Sequence, residues 1–250
     1  MTRPNTPEAR QEALRHRLDA GEALSLSALS REFGVSPDSI RRDLKALESQ
    51  GLARCIRGGA LPPQPLARAT LDRLPEMDHA ALTAAALPLI ADGMVVFMDG
   101  GTTIAALAAA LPRLPGALIV TPAPAVALAT LRRGTPTHLI GGRLSPSGAI
   151  AVGSDSTRAL SRIAADLALL GVCGIDPGFG LSAEDSDEAA VKRAMLDAAH
   201  RSALLSAAAK LGTRSRFHVA PCVALDILIT DAPAEATPAY SDLGMEIRHA

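Results

Sequence analysis

The chain has no Trp, one Tyr and four Phe, an aromatic share of 2%. So few flat rings argue against recognition by stacking bases on aromatic platforms, the habit of single-strand and RNA binders. Its three cysteines, Cys55, Cys173 and Cys222, are scattered and lack C-x-x-C spacing. An odd, unpatterned set implies reduced thiols, a cytoplasmic setting and no zinc site. The longest run without a charge, residues 114–131, is broken by Pro115, Pro122 and Pro124, so it reads as a strand and a helix start rather than a membrane span. The opening MTRPNTPEARQ has no apolar core that could act as a leader.

Aliphatic residues are plentiful instead. Hydrophobic content is 48% over 250 residues, enough for a sizeable core built from Ala, Leu, Val and Ile. The net charge of −1 conceals an asymmetry: residues 1–62 hold ten Lys/Arg against eight Asp/Glu, and the remainder fifteen against eighteen. A small basic head on a mildly acidic body suits a DNA reader.

Residues 26–61 carry the strongest pattern. Leu26, Leu29 and Phe33 share one face of a short helix, and Gly34 ends it. Ser36-Pro37 supplies an N-cap and a first-turn proline for the next helix. There Ile40, Leu44 and Leu47 face inward, while Asp38, Arg41, Arg42 and Lys45 line the other side. Two short amphipathic helices around a Gly-containing turn form a helix-turn-helix pattern. A basic outer face is ordinary on a solvated helix. Here, however, the cations occupy the first turns of the second helix, the part that enters a major groove, and Arg54 and Arg57 follow in a Gly-rich segment suited to a β-hairpin wing. An earlier helix over residues 6–18 would pack Ala13, Leu14 and Leu18 against this pair. The Pro-rich stretch at residues 61–65 marks a boundary, giving a domain over 1–61, a linker over 62–77 and a second domain over 78–250.

In the second domain Asp78 is expected to cap a helix to about Ala91. Strands are expected over 94–98, 117–121, 137–140, 166–172, 203–206 and 227–230, with helices over 103–111, 123–131 and 188–201. This alternation predicts an α/β fold with a mostly parallel sheet covered on both faces. Ligands of such sheets bind at the carboxyl ends of the strands. After residues 94–98 comes Asp99-Gly100-Gly101-Thr102-Thr103 and then a helix, which would serve equally as a phosphate cradle or as a tight strand-to-helix turn with a Thr cap. It is neither a Walker loop nor a dinucleotide loop, so no cofactor is expected. Gly141-Gly142-Arg143 follows a later strand, and residues 171–180 place Asp176 on a loop. Glu188 and Lys192 stand at i, i+4, a spacing that also describes a solvated helix pair. Lys210 follows a strand and could face the same crevice.

Val35-Ser36, the Ile-Arg-Arg-Asp-Leu of residues 40–44 and Gly58-Gly59-Ala60 together resemble the signature of DeoR-type bacterial transcriptional regulators. Ser39 stands where that family commonly has Thr, and Arg57 where His is common. The resemblance continues through Asp99–Thr103, Gly141-Gly142, Gly174-Ile175-Asp176, residues 191–195 and Ile229-Thr230-Asp231. It implies a winged helix-turn-helix domain and a sensor domain similar in fold to ribose-5-phosphate isomerase. The implied DNA-facing set is Ser36, Asp38, Ser39, Arg41, Arg42, Lys45, Arg54 and Arg57. For a phosphorylated sugar, Gly101, Thr102 and Thr103 would hold the phosphate, with Asp176, Lys192 and Lys210 around the sugar; Asp99, Gly142, Arg143 and Glu188 complete the implied site. The family often has Asp three residues before the Lys at position 210, where this chain has Ala207. The expected protein is therefore a repressor of a carbohydrate-metabolism operon, acting as a homodimer or homotetramer on double-stranded DNA and not as an enzyme. The alternative is an isomerase-like sugar-phosphate enzyme with an attached helical domain.

Overall fold

Leu14, Leu18, Leu29, Ile40, Leu44 and Leu47 close one small core, each at most 3% exposed. They come from α1 (Pro7–Asp19), α2 (Leu26–Phe33) and α3 (Pro37–Ser49). The computed structural model describes residues 6–19, 21–49, 52–61 and 79–250, which divide between two units, Met1–Arg68 and Ala69–Ala250. In the first unit α2 ends at Gly34, whose φ of 65° lets its N–H return to the Ser30 carbonyl. Ser36 opens α3 by accepting the Ser39 N–H at 3.2 Å. A wing follows: β1 (Leu24–Ser25), β2 (Arg54–Ile56) and β3 (Gly59–Leu61) form an antiparallel sheet in the order β1-β3-β2. Gly59 lies against β1 so closely that a Cβ would sit 1.9 Å from the Leu24 carbonyl oxygen. Beneath the wing, Ala60 is fully buried.

A buried polar contact ties α1 to α3. Arg10 of α1 meets Asp43 of α3 at 2.9 Å with both side chains less than 10% exposed, and Gln11 Nε2 donates to the other carboxylate oxygen at 3.1 Å. Asp43 therefore turns inward from the run Arg41–Lys45, in which Arg41, Arg42 and Lys45 stay exposed and Leu44 joins the core.

The second unit begins, among the described residues, with α4 (Ala80–Ala86). Asp78 and the linker expected over 62–77 lie outside the described residues. Expected to run to about Ala91, α4 gives way at Leu87–Leu89 to a 3₁₀ turn, because Pro88 has no N–H to continue the α-helical ladder. Then follow β4 (Val95–Met98), α5 (Thr102–Ala110), β5 (Leu118–Thr121), α6 (Pro124–Arg132), β6 (Thr137–Leu139), β7 (Arg143–Leu144), β8 (Ala151–Val152), α7 (Ser154–Leu160) and β9 (Ala165–Gly171). After these come β10 (Gly174–Asp176), β11 (Gly180–Ala183), α8 (Ser186–Asp197), β12 (Ala199–Ser206), β13 (Phe217–Ala220), β14 (Ile227–Thr230), α9 (Pro238–Ser241) and β15 (Glu246–His249). Seven strands form one sheet in the order β15-β14-β12-β9-β4-β5-β6, and every pairing in it is parallel. Its central strands are continuous apolar runs: Val96, Phe97 and Met98 of β4 and Leu169 and Leu170 of β9 are all fully buried.

Two sequence expectations are corrected here, and one open alternative is decided. The helix expected over 188–201 runs from Ser186 to Asp197, and residues 199–201 open β12 instead. The sheet recruits them: Ala199 and Arg201 pair with Ala165 and Leu167 of β9. Asp176 is not on a free loop but ends β10, in a small antiparallel sheet β10-β11-β13. Glu188 and Lys192 are not a solvated pair, since each is 5% exposed.

Candidate functional site

Two surfaces carry polar groups beyond what the fold requires. On the first unit, the outer face of α3 exposes Asp38, Arg41, Arg42 and Lys45, with Ser36 just ahead of it. Arg41 pairs with Asp38, one turn earlier. Ser36 and Ser39 share a hydroxyl contact at 3.0 Å that belongs to the cap. Arg42 and Lys45 make no ion pair among the described residues, so their charge is directed to solvent. Arg57 is exposed in the tight turn of the wing, next to Gly58 at φ 94°. Arg54 opens β2, and its side chain lies outside the described set. A helix presenting unpaired cations beside a basic hairpin tip is the geometry of major-groove entry with a flanking wing.

In the second unit, strand order locates the crevice. The chain runs outward from β4 through β5 to β6, then returns to lay β9 on the other side of β4. That reversal makes β4/β9 the topological switch point, where ligands of doubly wound sheets bind beyond the carboxyl ends. Asp99 follows β4 there. It is fully buried, and its Oδ2 accepts from Lys192 Nζ and, at 3.2 Å, from the Gly171 N–H at the end of β9. Lys192 also donates to the Gly171 carbonyl at 3.0 Å. Burial pulls the Lys192 ammonium toward deprotonation, but the Asp99 carboxylate, helped by Cys173 and Glu188, outweighs it and raises the pKa above the ordinary lysine value. Gly101, at φ 99°, turns the chain into α5, and Thr102 and Thr103 are half-buried in its first turn. Thr103 Oγ1 lies 3.3 Å from His79 Nδ1.

A strap that sequence reading did not find crosses this floor. Strands β7 and β8 form a hairpin, and residues 145–150 between them rest on Gly100 and Glu188. Ser145 and Ser147 both donate to Glu188 Oε1, at 2.6 and 2.7 Å. A Cβ on Gly100 would fall 2.2 Å from Ile150 Cγ2, and one on Gly148 2.5 Å from Glu188 Oε1. Ala149 has φ 53°, the one non-glycine residue with positive φ among those described. The only hint in the sequence is the Ser-Pro-Ser-Gly run, which signals a turn without saying what it covers.

The other expected residues are placed as follows. Gly142, at φ 151°, packs so that a Cβ would meet Ser156 Oγ at 2.2 Å, and Arg143 beside it is exposed and paired with Asp187 at 2.6 Å. Asp176 Oδ1 accepts from Arg214 and from the Gly178 and Phe179 N–H groups, at 2.8–2.9 Å. The Arg214 hydrogen bond in particular holds its pKa below the usual carboxylate value. Lys210 is half-buried at the end of a 3₁₀ turn. Thus Asp99, Gly101, Thr102, Thr103, Glu188 and Lys192 share one floor and its helices, while Asp176 is committed to a turn and an ion pair. A separate cavity of about 810 Å³ opens by Arg158, Arg162 and His200, at the amino ends of β9 and β12, away from the switch point. Among the described residues no cluster of His, Cys, Asp or Glu is placed to hold a metal ion, and no helix is long and apolar enough to cross a membrane.

A winged helix-turn-helix unit and an α/β unit with a switch-point crevice define a two-part DNA-binding transcriptional regulator. Residues 10–65 match the DeoR-like helix-turn-helix domain and residues 78–232 the DeoR C-terminal sensor domain. The chain belongs to the DeoR family of transcriptional regulators. It is 31% identical over 234 residues to the HTH-type transcriptional regulator GlpR of Haloferax volcanii, covering 92% of each chain. Identity is also 31% to the HTH-type transcriptional repressor GlcR of Bacillus subtilis, over 79% of this chain and 78% of that one. The glycerol-3-phosphate regulon repressor of Escherichia coli K12 matches at 31% over 84% of this chain and 85% of its own. A ribose 5-phosphate isomerase A from Methanocaldococcus jannaschii aligns over 53% of each chain at a TM-score of 0.40 and 14% identity, a likeness that carries no argument.

Proposed function

We propose that this regulator represses a carbohydrate-metabolism operon and is released by, or held on DNA by, a phosphorylated sugar or polyol bound at the β4/β9 crevice. The observation that carries the reading is the Asp99–Thr103 turn at the switch point. Gly101 bends the backbone at φ 99° into the amino terminus of α5, where N–H groups and two Thr hydroxyls lie together. The name of one relative, the glycerol-3-phosphate regulon repressor of Escherichia coli K12, favours the same class of effector. Arg42 and Lys45, with Arg41, Arg54 and Arg57 around them, contact DNA. Because one helix-turn-helix reads only a half-site, the working form is a homo-oligomer. The cytoplasm is its setting.

The sensor unit binds its ligand without turning it over. A sugar-phosphate isomerase needs a carboxylate base; here Asp176 is held by Arg214, Glu188 by two serines, and Asp99 by Lys192. Position 207 offers only Ala.

The test is a thermal-shift screen of phosphorylated sugars on the full-length protein. A ligand at a hundredfold excess over its Kd raises native stability by about 2.7 kcal/mol. Replacing Thr102 and Thr103 with Val should preserve DNA binding and abolish the ligand's effect on it. If the double variant responded normally, the cradle assignment would be wrong. Measurable ribose 5-phosphate isomerisation would restore the enzyme reading.

A further inference from the structure

The two edges of the seven-stranded sheet are built differently. At β15, Glu246 pairs with Arg201 and Arg248, and charges of this kind keep a strand edge from pairing with another chain. At the other edge β6 reads Thr137-His138-Leu139, without Lys, Arg, Asp or Glu. It bonds to β5 through the Pro136 carbonyl and the Ile140 N–H. By alternation, the N–H and C=O groups of Thr137 and Leu139 point outward. Among the described residues no strand lies on that side.

The helix above this edge is apolar on its outer side. Thr130 of α6 faces the sheet, where its Oγ1 lies 2.8 Å from Thr137 Oγ1. Leu131 follows about 100° round the helix, on the side opposite Ala129, which packs on the core. Leu128 adjoins Leu131 one turn back. Leu139 shares the face of Thr137, so it too lies on the α6 side. Leu128, Leu131 and Leu139 are 57%, 56% and 48% exposed.

We propose that a second copy of this chain docks here by a two-fold axis, β6 antiparallel to β6 and α6 beside α6, an inference that rests on the regulator being a homo-oligomer. The register of helix and strand selects that partner. From the Thr130–Thr137 contact, two residues back along α6 and one forward along β6 are each a step of about 3 Å, which brings Leu128 level with His138. These are the middle residues of α6 and β6, so one axis serves both elements. Paired strands lie about 4.8 Å apart, and α6 packs on both β5 and β6. The two α6 axes therefore come about 10 Å apart, the spacing of packed helices, with Leu131 and Leu139 of each copy between them. Charge agrees. Residues 100–154 contain no Asp or Glu, so the uncharged face meets its own copy with no charge buried. The axis also sends Arg132 and Arg133 of the two copies to opposite ends of the contact. A nine-residue helix and a three-residue strand make a face smaller than the roughly 800 Å² per partner of a standard interface, so this contact by itself dissociates on dilution.

The experiment follows the mass of the full-length protein by sedimentation over a concentration series. Leu128→Lys/Leu131→Lys places like charges at the axis. Leu139→Pro removes an outward N–H that the fold does not use, a substitution edge strands tolerate. Each should lower the mass about twofold at a concentration where the unsubstituted protein is assembled, and leave the Tyr240 unfolding transition in place. A third variant, His138→Cys, reads the register and does not depend on the other two. The axis sets position 138 against itself as the close, non-hydrogen-bonded pair, with Cα atoms about 4.5 Å apart, inside disulfide range. Mild oxidation should link the two copies at position 138, which peptide mass mapping separates from links through Cys55, Cys173 or Cys222. Unchanged mass in both variants and no link at 138 would overturn this face and leave the homo-oligomer standing. Loss of mass without the link would overturn the antiparallel strand pairing. A protein that stays monomeric at every concentration, with and without operator DNA, would overturn the homo-oligomer as well.

Discussion

Asp43→Ala should unfold the first unit without touching its DNA face. The carboxylate lies against Arg10 at 2.9 Å, with side-chain exposures of 4% and 7%, and it also takes a hydrogen bond from Gln11. Removing one partner of a buried pair costs about 3–5 kcal/mol. A single core in a chain segment of this size rarely supplies more than about 3–5 kcal/mol in total, so the loss matches the whole margin. The protein offers a clean assay. Its one Tyr, Tyr240, is in the second unit and there is no Trp, so tyrosine fluorescence follows that unit alone while far-UV circular dichroism follows both. In urea, Asp43→Ala should lose the helical signal of α1–α3 near zero denaturant and keep the Tyr240 transition in place. Arg10→Met/Asp43→Leu, which replaces the pair with apolar groups, should recover most of the lost stability. An Asp43→Ala protein with an unchanged circular dichroism transition would refute the clamp.

Arg42→Ala, by comparison, should leave both transitions unmoved and abolish operator footprints, because Arg42 is exposed and makes no ion pair among the described residues. Unchanged footprints would refute the assignment of α3 to the groove. Gly100→Ala should destabilise the second unit by about 1–3 kcal/mol through overpacking. Its Cβ would meet Ile150 Cγ2 at 2.2 Å, and a β-branched side chain cannot swing that atom aside. Adding Ile150→Ala should cost less than the two single changes summed, and strict additivity would mean the strap is not seated on Gly100. Burial raises the Tyr240 phenol above its ordinary value of 10.0, so its folded-state pKa exceeds its unfolded one. Ionisation followed at 295 nm should then have a midpoint above that of the urea-unfolded chain, and coincident midpoints would contradict the burial.

Periodicity made much of this legible. The apolar stripe of α2 and α3, the helices α4, α5, α6 and α8 and the strands β4, β5, β6, β9, β12 and β14 of the large sheet follow from spacing, whereas α7 and the strap hairpin β7-β8 do not. The Gly-Gly-Ala ending is legible as a turn, but its reason is structural: Gly58 supplies positive φ, Gly59 lets the backbone meet Leu24, and Ala60 is core. What spacing could not show was which charges turn inward. Asp43 sits within a run of charged residues, and only α1, more than thirty positions away, supplies its partner. Glu188 and Lys192 look like any surface i, i+4 pair because their partners, Ser145, Ser147 and Asp99, are distant in sequence. In the small sheet β10-β11-β13, β10 was hidden in a Gly-rich stretch, and all three strands, of three or four residues, are too short for alternation to register. At residues 199–201 tertiary pairing outweighs helix propensity.

These distant partners converge on α8. Glu188, in its first turn, holds the strap; Lys192, one turn on, holds Asp99 and Gly171; and Arg193 donates to the carbonyls of His218 and Val219 in β13. A ligand that alters the strap or the floor therefore changes the partners of one helix, which also grips the small sheet. Glu188→Ala isolates the first of these links. Ser145 and Ser147 lose their shared acceptor, and bonds to a charged group contribute about 1.5–3 kcal/mol each. The loop should then open more often. Its reporter is the Ala149 N–H, which donates to the Ser145 carbonyl at 2.9 Å within the strap. Hydrogen exchange there should accelerate by roughly a hundredfold or more, each 1.4 kcal/mol of lost closure free energy giving about tenfold. Glu188→Gln, which keeps an acceptor but not the charge, should fall between. Equal exchange in all three proteins would mean that the Ile150–Gly100 contact alone seats the strap, and α8 would couple only the floor and the small sheet.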